Sequence, residues 1–101
     1  MEVLERIKRL VELRRVSFTL KAEDELDADG LTHEMVFEAI RSAVAIDKVL
    51  RSRRRRGEKL YVIKGTSKEG VAIYTKGRIA PGADGFAAFY ILISSKHSTD
   101  V

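Results

Sequence analysis

The sequence predicts an α+β domain in which N-terminal helices pack on one face of a C-terminal antiparallel β-sheet. Three observations carry that expectation. Apolar residues recur at three-to-four spacing through the first half of the chain. From Ala45 onward they fall instead in short β-rich runs between turn residues. The links between those runs are too short for helical crossovers, so neighbouring strands must be joined as antiparallel hairpins. With 101 residues and no Pro-rich linker or internal repeat, the chain reads as one domain over residues 1–101.

The first helix is expected over residues 3–14, where Val3, Leu4, Ile7, Leu10, Val11 and Arg14 share one spacing. Val16–Phe18 follows as a short extended link. Thr19 can cap a second helix through Ala28, its hydroxyl accepting a first-turn N–H, and Gly30 is placed to close it. Ala22 and Leu26 lie one turn apart and should face the core. Thr32 is a second cap, and Leu31 before it can staple onto Val36. Val36, Ala39, Ile40 and Ala43 then form a buried stripe, leaving Asp24, Glu25, Glu34 and Glu38 on solvated faces. Strands are expected over Ala45–Arg51, Lys59–Lys64, Val71–Ile79 and Phe86–Ser95. Gly57, Gly65, Gly70 and the Pro81–Gly85 segment mark the turns.

The net charge of +4 conceals an asymmetry. Residues 1–47 hold 7 Lys and Arg against 11 Asp and Glu, whereas residues 48–101 hold 12 against 4. A helical half at −4 joined to a sheet half at +8 points to an anionic partner for the sheet, with nucleic acid first among them. Mutual neutralisation on the folded surface is the plainer alternative. The absence of cysteine excludes disulfide and thiol chemistry, and His33 and His97 are too far apart for a zinc pattern. The longest apolar run, Phe86–Ile93, is far short of a membrane span, and the N-terminus lacks an apolar signal region. Neither a membrane nor secretion by that route is expected.

Alternation along Val71–Ile79 separates Ala72, Tyr74, Lys76 and Arg78 from an apolar set. If helices cover one face, this second set places a phenol, an ammonium and a guanidinium in a row on the other, about 6.5–7 Å apart. Such a row can hold phosphate and stack or hydrogen-bond a base, although it would equally suit an ordinary solvent face. Lys48 lies between Ile46 and Leu50 in its strand, which reads as a partly buried cation at the edge of the core or as a lysine that snorkels to solvent. Arg53, Arg54, Arg55 and Arg56 precede Gly57 in a hairpin turn, either a grip on phosphates or a solvated loop. Lys96 and His97 follow the last strand. His97 is either a frayed tail residue or a general acid or base, because histidine titrates near neutral pH.

No glycine-rich phosphate loop, nucleophile elbow or paired-histidine motif occurs, and carboxylates in the strand half are few. RNA can be cleaved without a metal, because its own 2′-OH is the nucleophile. The protein then supplies a base, cations for the developing phosphorane charge and an acid for the leaving 5′ oxygen. Tyr, Lys, Arg and His suffice for that chemistry, and no cofactor is required.

The opening Ile7–Val11 and Val16–Ala22, then Ile46–Lys48, Ile73–Lys76 and Ile93–Lys96, occur in the order found in MqsR-type toxins of bacterial type II toxin–antitoxin systems. The chain resembles that family over nearly its whole length. Through Asp29–Thr32 it is also similar to a related small bacterial domain family of unknown function. The resemblance implies a RelE-like fold and a cytoplasmic, metal-independent mRNA endoribonuclease, acting on free or ribosome-bound mRNA. It also implies a cognate antitoxin, often one with a zinc-binding part and a helix-turn-helix part. Its active lysine falls on Lys48, its tyrosine on Tyr74 and its C-terminal lysine on Lys96. The family's second-strand glutamine is missing, since this chain contains none; Tyr61 or Lys64 replaces it, or the arrangement differs.

The site expected from residues and resemblance together is therefore Lys48, Tyr74, Lys96 and His97 for catalysis. Lys64, Lys76, Arg78, Tyr61 and Arg53–Arg56 would bind RNA. The alternative reading is a non-catalytic nucleic-acid-binding or protein-interaction module on the same scaffold.

Overall fold

A computed structural model describes residues 2–82 and 88–99. The order of elements is α1 (Val3–Glu12), β1 (Val16–Phe18), α2 (Leu20–Ala28), α3 (His33–Ser42), β2 (Lys48–Arg51), β3 (Lys59–Thr66), β4 (Ala72–Pro81) and β5 (Ala88–His97). The α+β class expected from the sequence holds, with helices first and strands after. None of these helices is long and apolar enough to cross a membrane.

The caps act as their chemistry requires. The Thr19 hydroxyl accepts from the Ala22 N–H and the Thr32 hydroxyl from the Met35 N–H, each at 3.1 Å. Helix α2 ends in a paired 6→1 and 5→2 closure, Leu31 N–H to Leu26 C=O and Gly30 N–H to Asp27 C=O, with Gly30 at φ +68°. Helix α1 stops at Glu12, short of the expected Arg14, because Arg14 itself takes the left-handed position at φ +58°. Its guanidinium compensates by donating to the Val11 carbonyl and to Glu34 and by lying over the Phe37 ring.

The sheet order is β1-β5-β4-β3-β2. Strands β2 to β5 form the expected antiparallel meander. Val16–Phe18 is more than a link: it pairs in parallel with Tyr90–Leu92 and makes the sheet mixed. Three residues are too few for alternation to register, so this strand exists only through its partner. Strand β2 begins at Lys48 rather than Ala45, while the expected start of the last strand, Phe86 and Ala87, lies outside the described residues, as do Ala83–Gly85 of the expected turn.

The core lies between the helices and one face of the sheet. Ile7, Val11, Val36 and Ile40 from the helices are fully buried with Ile63, Ile73, Tyr90 and Leu92 from the strands. Leu31 and Val36, the expected staple pair, are both in this cluster. Beyond the end of β1, α2 runs along the exposed edge of β5. There the Glu25 carboxylate accepts from the Ser95 N–H at 3.2 Å and Asp29 from the His97 N–H at 2.8 Å, so carboxylates take the place of a further strand. Glu25, expected as a solvated acid, thus closes a sheet edge. Among the described residues no helix lies against the other sheet face.

Candidate nucleic-acid interface on the open sheet face

Register fixes what stands on the open face. Lys64 pairs with Tyr74 and Tyr74 with Lys96, so cation, phenol and cation cross β3, β4 and β5 in one row. Cross-strand neighbours of this kind are separated by about 4.8 Å of backbone. The next row runs Lys48, Val62, Lys76 and Ser94. Val62 is fully buried although no helix covers it, flanked in register by the two lysines. A third position holds Arg78, paired with Ile91.

The first row lines a concavity of about 240 Å³ together with Lys48, His97, Ser98 and Thr99. The Lys96 ammonium lies 5.4 Å from the centre of the Tyr74 ring, a cation–π contact that holds both side chains. Lys64 is 3.6 Å from the Asp47 carboxylate. The Tyr74 pKa is raised, first by burial and then by the negative charges of Glu25 and Asp47. Tyr74 therefore keeps its proton through neutral pH. It can donate a hydrogen bond or a proton but is not a ready base.

A second, larger concavity of about 490 Å³ opens on the same face, between the start of α2 and the β2–β3 turn. Arg53, Arg54 and Arg55 overhang it, and Arg78 reaches it while paired with Glu58 at 3.2 Å. The Ser52 hydroxyl accepts from the backbone N–H groups of Arg54 and Arg55 at 3.2 and 3.1 Å, setting the turn. At the register shift opposite Lys76 and Gly77, β5 carries one residue in excess, so Ile93 turns to the open face beside Ser94.

The structure thus gathers Lys48, Lys64, Tyr74, Lys96 and His97 at one concavity and Arg53, Arg54, Arg55 and Arg78 at another, with Lys76 half-buried in the intervening row. Two expected residues sit differently. Tyr61 alternates with Val62 onto the helix side, packs against the core, and does not join the basic face. Lys48 is exposed rather than partly buried, because β2 is an edge strand with one neighbour and Ile46 precedes it. His97 is not a frayed tail: it is the last residue of β5, exposed and paired with Ile73 on the helix side of the sheet, and it borders the smaller concavity at the strand end. Arg56 is exposed on the turn but does not line the larger concavity.

Comparison with known protein families, curated proteins and solved structures returns no match. Among the described residues no group of three or more His, Asp or Glu side chains gathers as metal ligands would. Glu25, Asp47, Glu58, Thr19 and Lys21 all border the open face, and none was expected there. On helices and loops they carry no sequence signal of this, and only the path of the chain brings them to the strands.

Proposed function

We propose that this protein is an RNA-cleaving toxin of a type II toxin–antitoxin system, an endoribonuclease that acts on mRNA in the cytoplasm without a metal. The observation that carries the reading is the Lys64–Tyr74–Lys96 row, a protonated phenol between two ammonium groups on an uncovered sheet face. An RNA phosphate over Tyr74 would have cations on both sides. The 2′-OH attacks that phosphorus, so a 2′-O–P bond forms as the P–O5′ bond breaks, leaving a cyclic phosphate and a free 5′-OH. Lys64 and Lys96 offset the charge on the non-bridging oxygens. Tyr74, which keeps its proton through neutral pH, donates it to the departing 5′ oxygen. His97, bordering the same concavity, takes the 2′-OH proton, and Lys48 adds a further cation beside the phosphate.

A partner protein of the antitoxin kind, with a zinc-binding part and a helix-turn-helix part, would keep this face covered. The resemblance to MqsR-type toxins supports both the substrate and the partner, and the missing glutamine bears on sequence preference more than on RNA binding.

The test is incubation of the purified protein with mixed-sequence RNA in EDTA. Cleavage to 2′,3′-cyclic phosphate ends is expected. Tyr74→Phe and Lys96→Ala should each lower the rate by about a hundredfold or more, with unchanged thermal unfolding. Intact RNA after incubation with the wild-type protein refutes the nuclease reading. Salt-sensitive binding without cleavage would establish the non-catalytic alternative.

A further inference from the structure

We propose that the larger concavity seats a nucleotide of single-stranded RNA on the flank of the cleavage point, with its base on an apolar floor and its phosphate under the arginine turn. The inference rests on RNA being the ligand of the open face, the binding half of the reading above. Three observations carry it.

The floor is apolar where a solvent face should not be. Leu60, Ile91 and Ile93 are half-buried on the uncovered side of the sheet and line the concavity, and no other element of the described chain packs over them. A base presents a flat apolar surface of the kind such a floor accepts, whatever its sequence. The rim is cationic: Arg53 and Arg54 overhang the floor from the turn, and Lys21 stands on the opposite wall. Guanidinium groups match phosphate with paired N–H donors. Glu58, the carboxylate lining the cleft among the described residues, is engaged by Arg78, so its charge is countered from within.

Position along the sheet agrees. Arg78 and Tyr74 lie on the same strand and the same face four residues apart, about 13 Å at the usual strand rise. A stacked strand advances about 3.4 Å per phosphate. The cleft is thus up to about four nucleotides from Tyr74, within one continuous single strand. An acidic peptide would satisfy the arginines but leaves the apolar floor without a flat partner, so RNA is favoured.

The experiment uses fluorescein-labelled 2′-O-methyl oligonucleotides, which cannot be cleaved, and reads affinity by anisotropy at several salt concentrations. An octanucleotide spans both concavities, and a trinucleotide does not. The octanucleotide should bind wild type at least about tenfold tighter, the effect of one charge-assisted hydrogen bond. The double variant Arg53→Ala/Arg54→Ala, altered only at exposed turn positions, should lose most of that length advantage. Its octanucleotide salt slope should fall by about two. Ile93→Asn should reduce the length advantage through the floor alone, and thermal unfolding of each variant reports whether it folds.

Variants that fold and keep the full length advantage overturn the proposal, as does a wild-type protein that binds both lengths equally. Displacement of the octanucleotide from wild type by an acidic peptide, with the peptide's competition lost in the double variant and Ile93→Asn without effect, also overturns it. The two readings separate cleanly. Arginine-dependent length advantage without any cleavage removes the nuclease reading and leaves this one. Cleavage with undiminished advantage in the variants does the reverse.

Discussion

At Gly65 the backbone of α3 lies directly against the sheet, and Gly65→Ala tests that packing. A Cβ built there would lie 1.8 Å from the Ala39 carbonyl oxygen, 2.6 Å from its carbon and 2.9 Å from the Ser42 Oγ. The first two atoms are helix backbone and cannot rotate away. To restore the 3.0 Å that real contacts respect, α3 must withdraw from β3 by about 1.2 Å. That helix buries Val36, Phe37, Ala39 and Ile40. A gap of even ~0.5–1 Å forfeits a quarter to a half of the dispersion attraction across it. The same movement strains the Ser42 hydroxyl, which donates to the Ala39 carbonyl and accepts from the Thr66 N–H, each at 2.9 Å.

Overpacking of this kind costs about 1–3 kcal/mol, and an immovable partner places Gly65 at the upper end. Removing a glycine stiffens the unfolded chain and returns up to ~1 kcal/mol. The net loss is then about 2 kcal/mol, a large part of the ~5–15 kcal/mol that holds a domain together. A melting temperature lower by roughly 10 °C follows, measured by circular dichroism and by urea midpoint. Gly70 is the control. It stands in open space at φ +86°, so Gly70→Ala meets only the cost of a left-handed alanine, about 1–2 kcal/mol, with no helix displaced. If Gly65→Ala unfolds within about 0.5 kcal/mol of wild type, the close approach of α3 to β3 is wrong.

Two further predictions concern titratable groups. The Tyr90 hydroxyl is buried without a hydrogen-bond partner among the described residues, and its pKa is raised by burial and then by Tyr61. Its stabilising contribution is fully present below the ordinary tyrosine value of 10.0 and is lost as pH rises toward the higher folded value, because only the unfolded chain ionises there. Tyr90→Phe should match or exceed wild type by about 1 kcal/mol at neutral pH and lose less stability above about pH 10, as urea midpoints across pH will report. Glu25→Ala should cost about 1–3 kcal/mol, since it strips the acceptor from the buried Ser94 hydroxyl and Ser95 N–H. It should also lower the Tyr74 pKa toward its ordinary value, visible in the phenolate absorbance; an unmoved titration would remove Glu25 from the surroundings of Tyr74.

Much of the fold is legible because its signals are local. Thr19 and Thr32 cap where their hydroxyls can reach a first-turn N–H, and the stripe from Val36 to Ile40 needs only helical period. The Tyr74–Lys76–Arg78 set likewise needs only alternation. What escaped is whatever depends on a distant partner. Val16–Phe18 becomes a strand only beside Tyr90–Leu92. Lys48 lost its expected burial because strand order puts β2 at an edge. Tyr61, one residue from Val62, went to the helix side through the same alternation that brought Lys64 to the open face.

By itself the sequence determined the class of the fold, the two caps, and a sheet half carrying +8, because composition and period are properties of neighbouring residues. Only the tertiary structure decided which of those cations meet. Pairing between β3, β4 and β5 set Lys64, Tyr74 and Lys96 in one row, and the path of α2 brought Glu25 to the Ser94–Ser95 edge beside it. A local pattern places a residue on a face; register and the packing of separate segments choose its neighbours, and the chemistry of a site lies in the neighbours.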